Sequence, residues 1–233
     1  MKRKIYQDLL DWKKTTKGRA ALLIEGARRV GKSYIVKEFA EKEYKSYVLI
    51  DFKEGGTGLD PLKEILNGSL KNLDDLFLFL RFYSGSELFE RDTLIIFDEV
   101  QDFPRAREAI KFLVQDGRYD YIETGSLVSI KENVESIQIP SEEISIAMNP
   151  MDFEEFLWAI GEDASWNLIK NRYSNKRPMG EELHRAAMNA FRKYLIVGGM
   201  PQAVAEYVET NDFISVDFAK RQILQLYRND IKK

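Results

Sequence analysis

The chain has 233 residues, 44% of them hydrophobic and 31% charged, with a formal net charge of −3. That is enough apolar material for one substantial core and a small second domain, and it carries no basic field of the kind that tracks a nucleic-acid backbone. Cysteine is absent and His184 is the single histidine, which excludes disulfides, zinc ribbons, thiolate catalysis, iron–sulfur clusters and a histidine-rich metal site, and leaves oxygen chemistry.

No apolar run reaches bilayer-spanning length, and Met-Lys-Arg-Lys at the start is followed by polar residues, so a cytoplasmic protein is expected. Lys13, Lys14, Lys17 and Arg19 read as a solvated surface. The first strand is predicted at 20–25, an apolar run cut off by Gly26, and helical spacing follows from Lys32 to Lys42. A buried strand is expected at 47–52, then a loop at the glycines 55, 56 and 58. Leu62, Ile65, Leu66, Leu73, Leu76, Phe77 and Leu80 suggest two helices interrupted near Asn67-Gly68, covering one sheet face. Thr93 to Phe97 is an apolar strand ending in Asp98-Glu99. Pro104 opens a helix with Ile110, Leu113 and Val114, and a further strand is placed at 119–123. From Met151 the texture is helical, with Asp152 as an N-cap, a polar linker at 174–180, and His184 on the rim of an apolar helix stripe. Strands alternating with helices predict an α/β fold: a parallel sheet with helices on both faces, followed by a small helical domain. The division expected is an α/β core at 1–150 and, at 151–233, a helical lid and the start of a C-terminal domain.

Gly26-Ala27-Arg28-Arg29-Val30-Gly31-Lys32-Ser33 satisfies the phosphate-loop pattern G-x-x-x-x-G-K-[ST] (Walker A) between a strand and a helix. The two glycines let the backbone turn its N–H groups toward phosphate oxygens, and the helix adds its positive end. Lys32 is expected to reach the outer phosphates and Ser33 to take one position on a magnesium ion. Arg28 and Arg29 either contact phosphate or point to solvent. Asp98, at the end of an apolar strand (Walker B), is expected to hold magnesium through water, with Glu99 polarising the attacking water as general base. Thr124-Gly125-Ser126 ends the next strand, which belongs between the first strand and the acid-bearing one if the sheet has the order usual for glutamate-using NTPases. A hydroxyl of Thr124 or Ser126 is then a candidate sensor of the terminal phosphate.

These segments occur in order with Pro150-Met151-Asp152-Phe153-Glu154-Glu155-Phe156-Leu157 and Gly198-Gly199-Met200-Pro201. In this the chain resembles, over most of its length, the prokaryotic AAA-type ATP-binding proteins that carry a C-terminal domain of unknown function, often described as nuclease-like. The resemblance implies ATP rather than GTP, in keeping with the absence of an Asn-Lys-x-Asp motif, and gives Lys32, Ser33, Asp98 and Glu99 the roles above. Relatives commonly continue past the equivalent of Asp230, so an ATPase part of a longer protein is expected. Many also carry a Gly-Arg pair between Gly125 and Met151, where this chain has no arginine. Arg105, Arg107 and Arg118 are then the candidate charge-stabilising donors, in cis or in trans. Two functions follow: magnesium-dependent ATP hydrolysis coupled to conformational change, or a nucleotide-dependent switch or scaffold with little turnover. The partners expected are ATP and either another protein or a second copy, with neither nucleic acid nor membrane.

Overall fold

The computed structural model describes residues 1–53, 56–126 and 140–231; Gly55, expected in a loop, lies outside them. The chain divides into two compact units, Ile5–Met148, and Met1–Lys4 with Asn149–Lys233.

The first unit is built on five parallel strands: β1 (Ala21–Gly26), β2 (Ser46–Asp51), β3 (Thr93–Asp98), β4 (Asp120–Ser126) and β5 (Glu143–Ala147), in the order β2-β3-β4-β1-β5. Strands β1 and β3 carry apolar runs, Ala-Leu-Leu-Ile and Leu-Ile-Ile-Phe, because both of their faces are covered. Alternation sends Leu22, Ile24, Leu94, Ile96 and Ile122 to one face, against α1 (Ile5–Thr16) and α2 (Lys32–Glu43). Ala21, Leu23, Ile95, Phe97 and Tyr121 go to the other, against α3 (Asp60–Asn67), α4 (Asp74–Ser84) and α5 (Pro104–Asp116). The connections from β2 through α3 and α4 to β3, and from β3 through α5 to β4, join parallel neighbours, while the one from β1 through α2 to β2 skips two strand positions.

Two elements were not anticipated. Helix α1 buries Ile5, Leu9 and Trp12 along one face and carries Lys13 and Lys14 near its end; Lys14, Lys17 and Arg19 are exposed, as read, and Lys13 is half-buried. Lys13 hydrogen-bonds the Glu43 carbonyl, and its ammonium lies 3.6 Å from the Tyr44 ring centroid. Strand β5 is the second. Its Glu-Ile-Ser-Ile-Ala sequence lacks a continuous apolar run because, among the described residues, it is an edge strand paired to β1.

The second unit contains α6 (Phe153–Ala159), α7 (Asp163–Ser174), α8 (Glu181–Val197), α9 (Pro201–Thr210) and α10 (Phe213–Ile231). Asp152 caps α6 as expected, in a full capping box: its carboxylate accepts from the Glu155 N–H at 3.0 Å, and Glu155 accepts from the Asp152 N–H at 3.2 Å. Met151, Phe156, Val197, Val204, Tyr207 and Val216 form the core of this unit, and His184 is exposed on α8. The first four residues belong here rather than with the sheet because Arg3 is buried against Glu155, Nε to Oε1 at 3.1 Å, and donates to the Asn149 carbonyl at 2.7 Å.

Candidate functional site

Strand β1 ends at Gly26 and α2 begins at Lys32, so the loop between them opens at the carboxyl end of the sheet, where ligands bind in open α/β folds. Val30 is fully buried and anchors the loop into the core under α2, while Ala27 and Arg29 are exposed and Arg28 half-buried. The two glycines have different reasons to be glycine. Gly31 sits at φ 97°, a left-handed value that a side chain disfavours. Gly26 has no such angle; a Cβ there would overlap the Met148 carbonyl oxygen, because the chain leaving β5 passes directly against it. As N-cap of α2, Gly31 brings no side chain, so the first-turn N–H groups of the helix have no cap competing for them.

Lys32 is only 5% exposed, and its ammonium donates to the carbonyls of Gly26 and Ala27, each at 3.0 Å. Burial pulls its pKa down, opposed by the negative charges of Glu99 and Asp98. Ser33 Oγ donates to Asp98 Oδ1 at 3.0 Å, joining loop to β3. Asp98 also accepts the hydroxyl of Thr124, and the same Thr124 oxygen accepts the Glu99 N–H at 3.3 Å. Burial raises the Asp98 pKa; the two hydroxyl donors oppose the rise, and the charges of Glu99 and Asp51 add to it. Desolvated carboxylate charge beside a hydroxyl is the donor chemistry of a hard divalent cation, so Ser33 and Asp98 fit magnesium. Among the described residues no cluster of three or more acidic or histidine side chains offers an all-protein metal cage.

Glu99 is half-buried and takes left-handed angles, φ 56° and ψ 49°, uncommon for a residue with a side chain and found at sites where the surroundings impose them. It leads into a 3-10 turn, Val100–Asp102. In that turn Gln101 is buried, bonded through Nε2 to the Glu99 carboxylate and through Oε1 to the Ser126 N–H at 3.3 Å. Sequence reasoning missed this link; the one signal for it is that Gln101 stands two residues after Glu99 at the same strand end. The structure thus brings Lys32, Ser33, Asp98, Glu99 and Thr124 together, with Ser126 reached through Gln101. Strand β4 lies between β1 and β3, in the order on which the reading of Thr124 and Ser126 depended.

The candidate arginines can now be ranked. Arg107 is buried in a two-pronged pair with Glu143, at 2.8 and 2.6 Å. Arg118 pairs with Asp116 and Asp74 just before β4 begins, at the far end of that strand from Ser126. Arg105 opens α5, on the site's side of the sheet, and is held by the Leu66 carbonyl at 3.1 Å and by Glu108.

A parallel sheet of this order with a phosphate loop after β1 defines a P-loop NTPase fold. The family profile described as an AAA domain matches residues 18–157, more than half of the chain, and the chain belongs to that family. A second profile, described as a domain of unknown function (DUF8612), matches residues 188–233. No protein of curated function matches the sequence. Among solved structures, the Walker-type ATPase PABY2304 of Pyrococcus abyssi superposes with a TM-score of 0.55 at 15% identity, over 97% of this chain and 73% of that one. Drosophila ORC bound to DNA gives 0.49 at 14% identity, over 94% and 66% of the two chains. The Aeropyrum pernix ORC1 protein in complex with DNA gives 0.44 at 10%, over 84% and 68%. The last two scores are too low to denote a shared fold. Among the described residues no helix is long and apolar enough to cross a membrane.

Proposed function

We propose that this chain is a magnesium-dependent ATPase in which loop 26–33 binds the phosphates of ATP and Glu99 activates water for attack on the terminal phosphoryl group. The observation that carries this reading is the Ser33–Asp98 hydrogen bond, which ties the phosphate loop to the acid-bearing strand across 65 positions of sequence. Lys32, buried at the loop's base, supplies a fixed positive charge for the outer phosphates. Ser33 and Asp98 would hold the metal, which when bound neutralises charge on the phosphate oxygens. Glu99 accepts the proton of the attacking water, and Thr124 steadies both acids from β4.

Coupling of turnover to the helical unit has its own support. Met148 donates its N–H to Glu25 at 2.6 Å and turns its carbonyl onto Gly26. The next residue, Asn149, already belongs to the helical unit, so a shift of the loop acts on the covalent exit to those helices.

ATP binding and phosphate release, measured in parallel with magnesium, test the reading. Lys32→Ala is expected to lose binding at least tenfold. Glu99→Gln is expected to keep binding and lose turnover by two or more powers of ten. A Glu99→Gln protein that turns over at the parent rate sinks the assignment of the base. A second reading, a switch that binds ATP with little turnover, is favoured by the engagement of Arg107 and Arg118 away from the loop. Tight binding with no phosphate release at any protein concentration would select it.

A further inference from the structure

We infer that Gln101 is the positioning residue of this site: it fixes the Glu99 carboxylate by bridging it to the end of β4. This rests on the reading of Glu99 as base.

The left-handed backbone of Glu99 folds the chain into the turn Val100–Asp102, closed by Asp102 N–H to Glu99 carbonyl at 3.0 Å and Phe103 N–H to Val100 carbonyl at 3.1 Å. That turn drives the Gln101 side chain back beneath Glu99, where it is 6% exposed. Its two partners dictate which way the amide points. A carboxylate accepts only and a backbone N–H donates only, so Nε2 must face Glu99 and Oε1 must face Ser126.

Few other side chains can do this. Glutamate would set carboxylate against carboxylate, methionine has the length but no strong donor or acceptor, and asparagine is a methylene short. The bridge holds one carboxylate oxygen, Oε2, and leaves Oε1 to accept from water. Thr124 accepts the Glu99 N–H from the same strand, so both the backbone and the carboxylate of the base are referenced to β4. A base must sit within hydrogen-bond reach of the proton it takes, and an ångström of misplacement costs roughly a hundredfold in rate.

The test compares Gln101→Met and Gln101→Glu with the parent, alone and combined with Glu99→Gln. We expect each single variant to lower kcat by about 10- to 100-fold with KM and ATP affinity within about twofold. In the Glu99→Gln background neither should lower residual turnover further, because the group being positioned is gone. A readout independent of turnover accompanies it: the Gln101 side-chain amide protons, followed by NMR in the full chain, should exchange slowly and lose that protection in Glu99→Ala. Unchanged kcat, an equal loss in both backgrounds, or amide protons indifferent to Glu99 would each overturn the proposal. Failure of the ATPase reading looks different, because Glu99→Gln would then turn over at the parent rate. If Gln101→Met does not fold, Gln101→Glu, nearly isosteric, carries the same comparison.

Discussion

Glu123 lies on β4 one residue before Thr124, is 0% exposed, and sits beside the Glu143 carboxylate. Burial pushes its pKa well up, the adjacent Glu143 adds to the rise, and Arg107 opposes it while already paired to Glu143. A carboxyl whose folded pKa is raised stays protonated in the fold while its unfolded counterpart ionises. Its stability contribution is therefore complete below about 4.5, the unfolded value, and is lost as pH rises toward and through the folded one. Glu123→Gln, which has no proton to lose, is expected to gain stability relative to the parent as pH rises from about 4 to about 8. Urea unfolding at both pH values decides it, and an equal difference at the two would rule out the ionisation account. None of this could be read from the run Tyr-Ile-Glu-Thr-Gly-Ser, where Glu123 looks like one more acid at a strand end. Its environment comes from α5 and β5. The loop 26–33 is the opposite case, since its eight contiguous residues match the phosphate-loop pattern by their order alone.

At the level of elements, the motif Gly198-Gly199-Met200-Pro201 acquires a physical reason. Gly198 takes φ 81° and ψ −173°, a region open essentially to glycine alone. A Cβ on Gly199 would strike the Met151 backbone, to which the Gly199 carbonyl is hydrogen-bonded at 2.7 Å. Helices α8 and α9 thus meet the entry to α6 backbone to backbone. The same entry is held by Arg3 and Glu155, whose side chains are 7% and 6% exposed. Removing one partner of a buried pair strands the other charge, so Arg3→Met is expected to cost the helical unit about 3–5 kcal/mol. Combining it with Glu155→Leu should recover most of that, less roughly 1 kcal/mol for the lost capping box. Unfolding followed through Trp158 and Trp166 measures both variants, and a single mutant as stable as the parent would show the pair to be inert. Periodicity was sufficient for α2 to α5, each of which follows or opens at a turn signal in the sequence. It failed for α1, where charged residues mask three buried positions, and for β5, where an edge strand has no continuous apolar run.

For the molecule as a whole, magnesium-ATP at 100 times its dissociation constant should stabilise the unit Ile5–Met148 by about 2.7 kcal/mol, through binding to the folded state alone. If turnover is coupled to the helices through Met148 and Gly26, hydrogen-exchange protection on adding nucleotide should extend past residue 148 to Met151 and the Gly198-Gly199 turn. Protection that stops at Met148 would leave the helical unit uncoupled. The α/β class, the strand–loop–helix around Gly26–Ser33, the strand ending in Asp98 and the strand carrying Thr124 and Ser126 were all legible in residue order. Each of these is written in neighbouring residues, through turn glycines, apolar runs and the chemistry of phosphate binding. Residue order did not reveal that β4 grips both acids, that Gln101 bridges Glu99 to Ser126, that Arg107 is paired to Glu143, or that the chain's first four residues fold with the helical unit. Those are contacts between segments far apart in the chain. They depend on strand order and side-chain burial, which local periodicity does not encode.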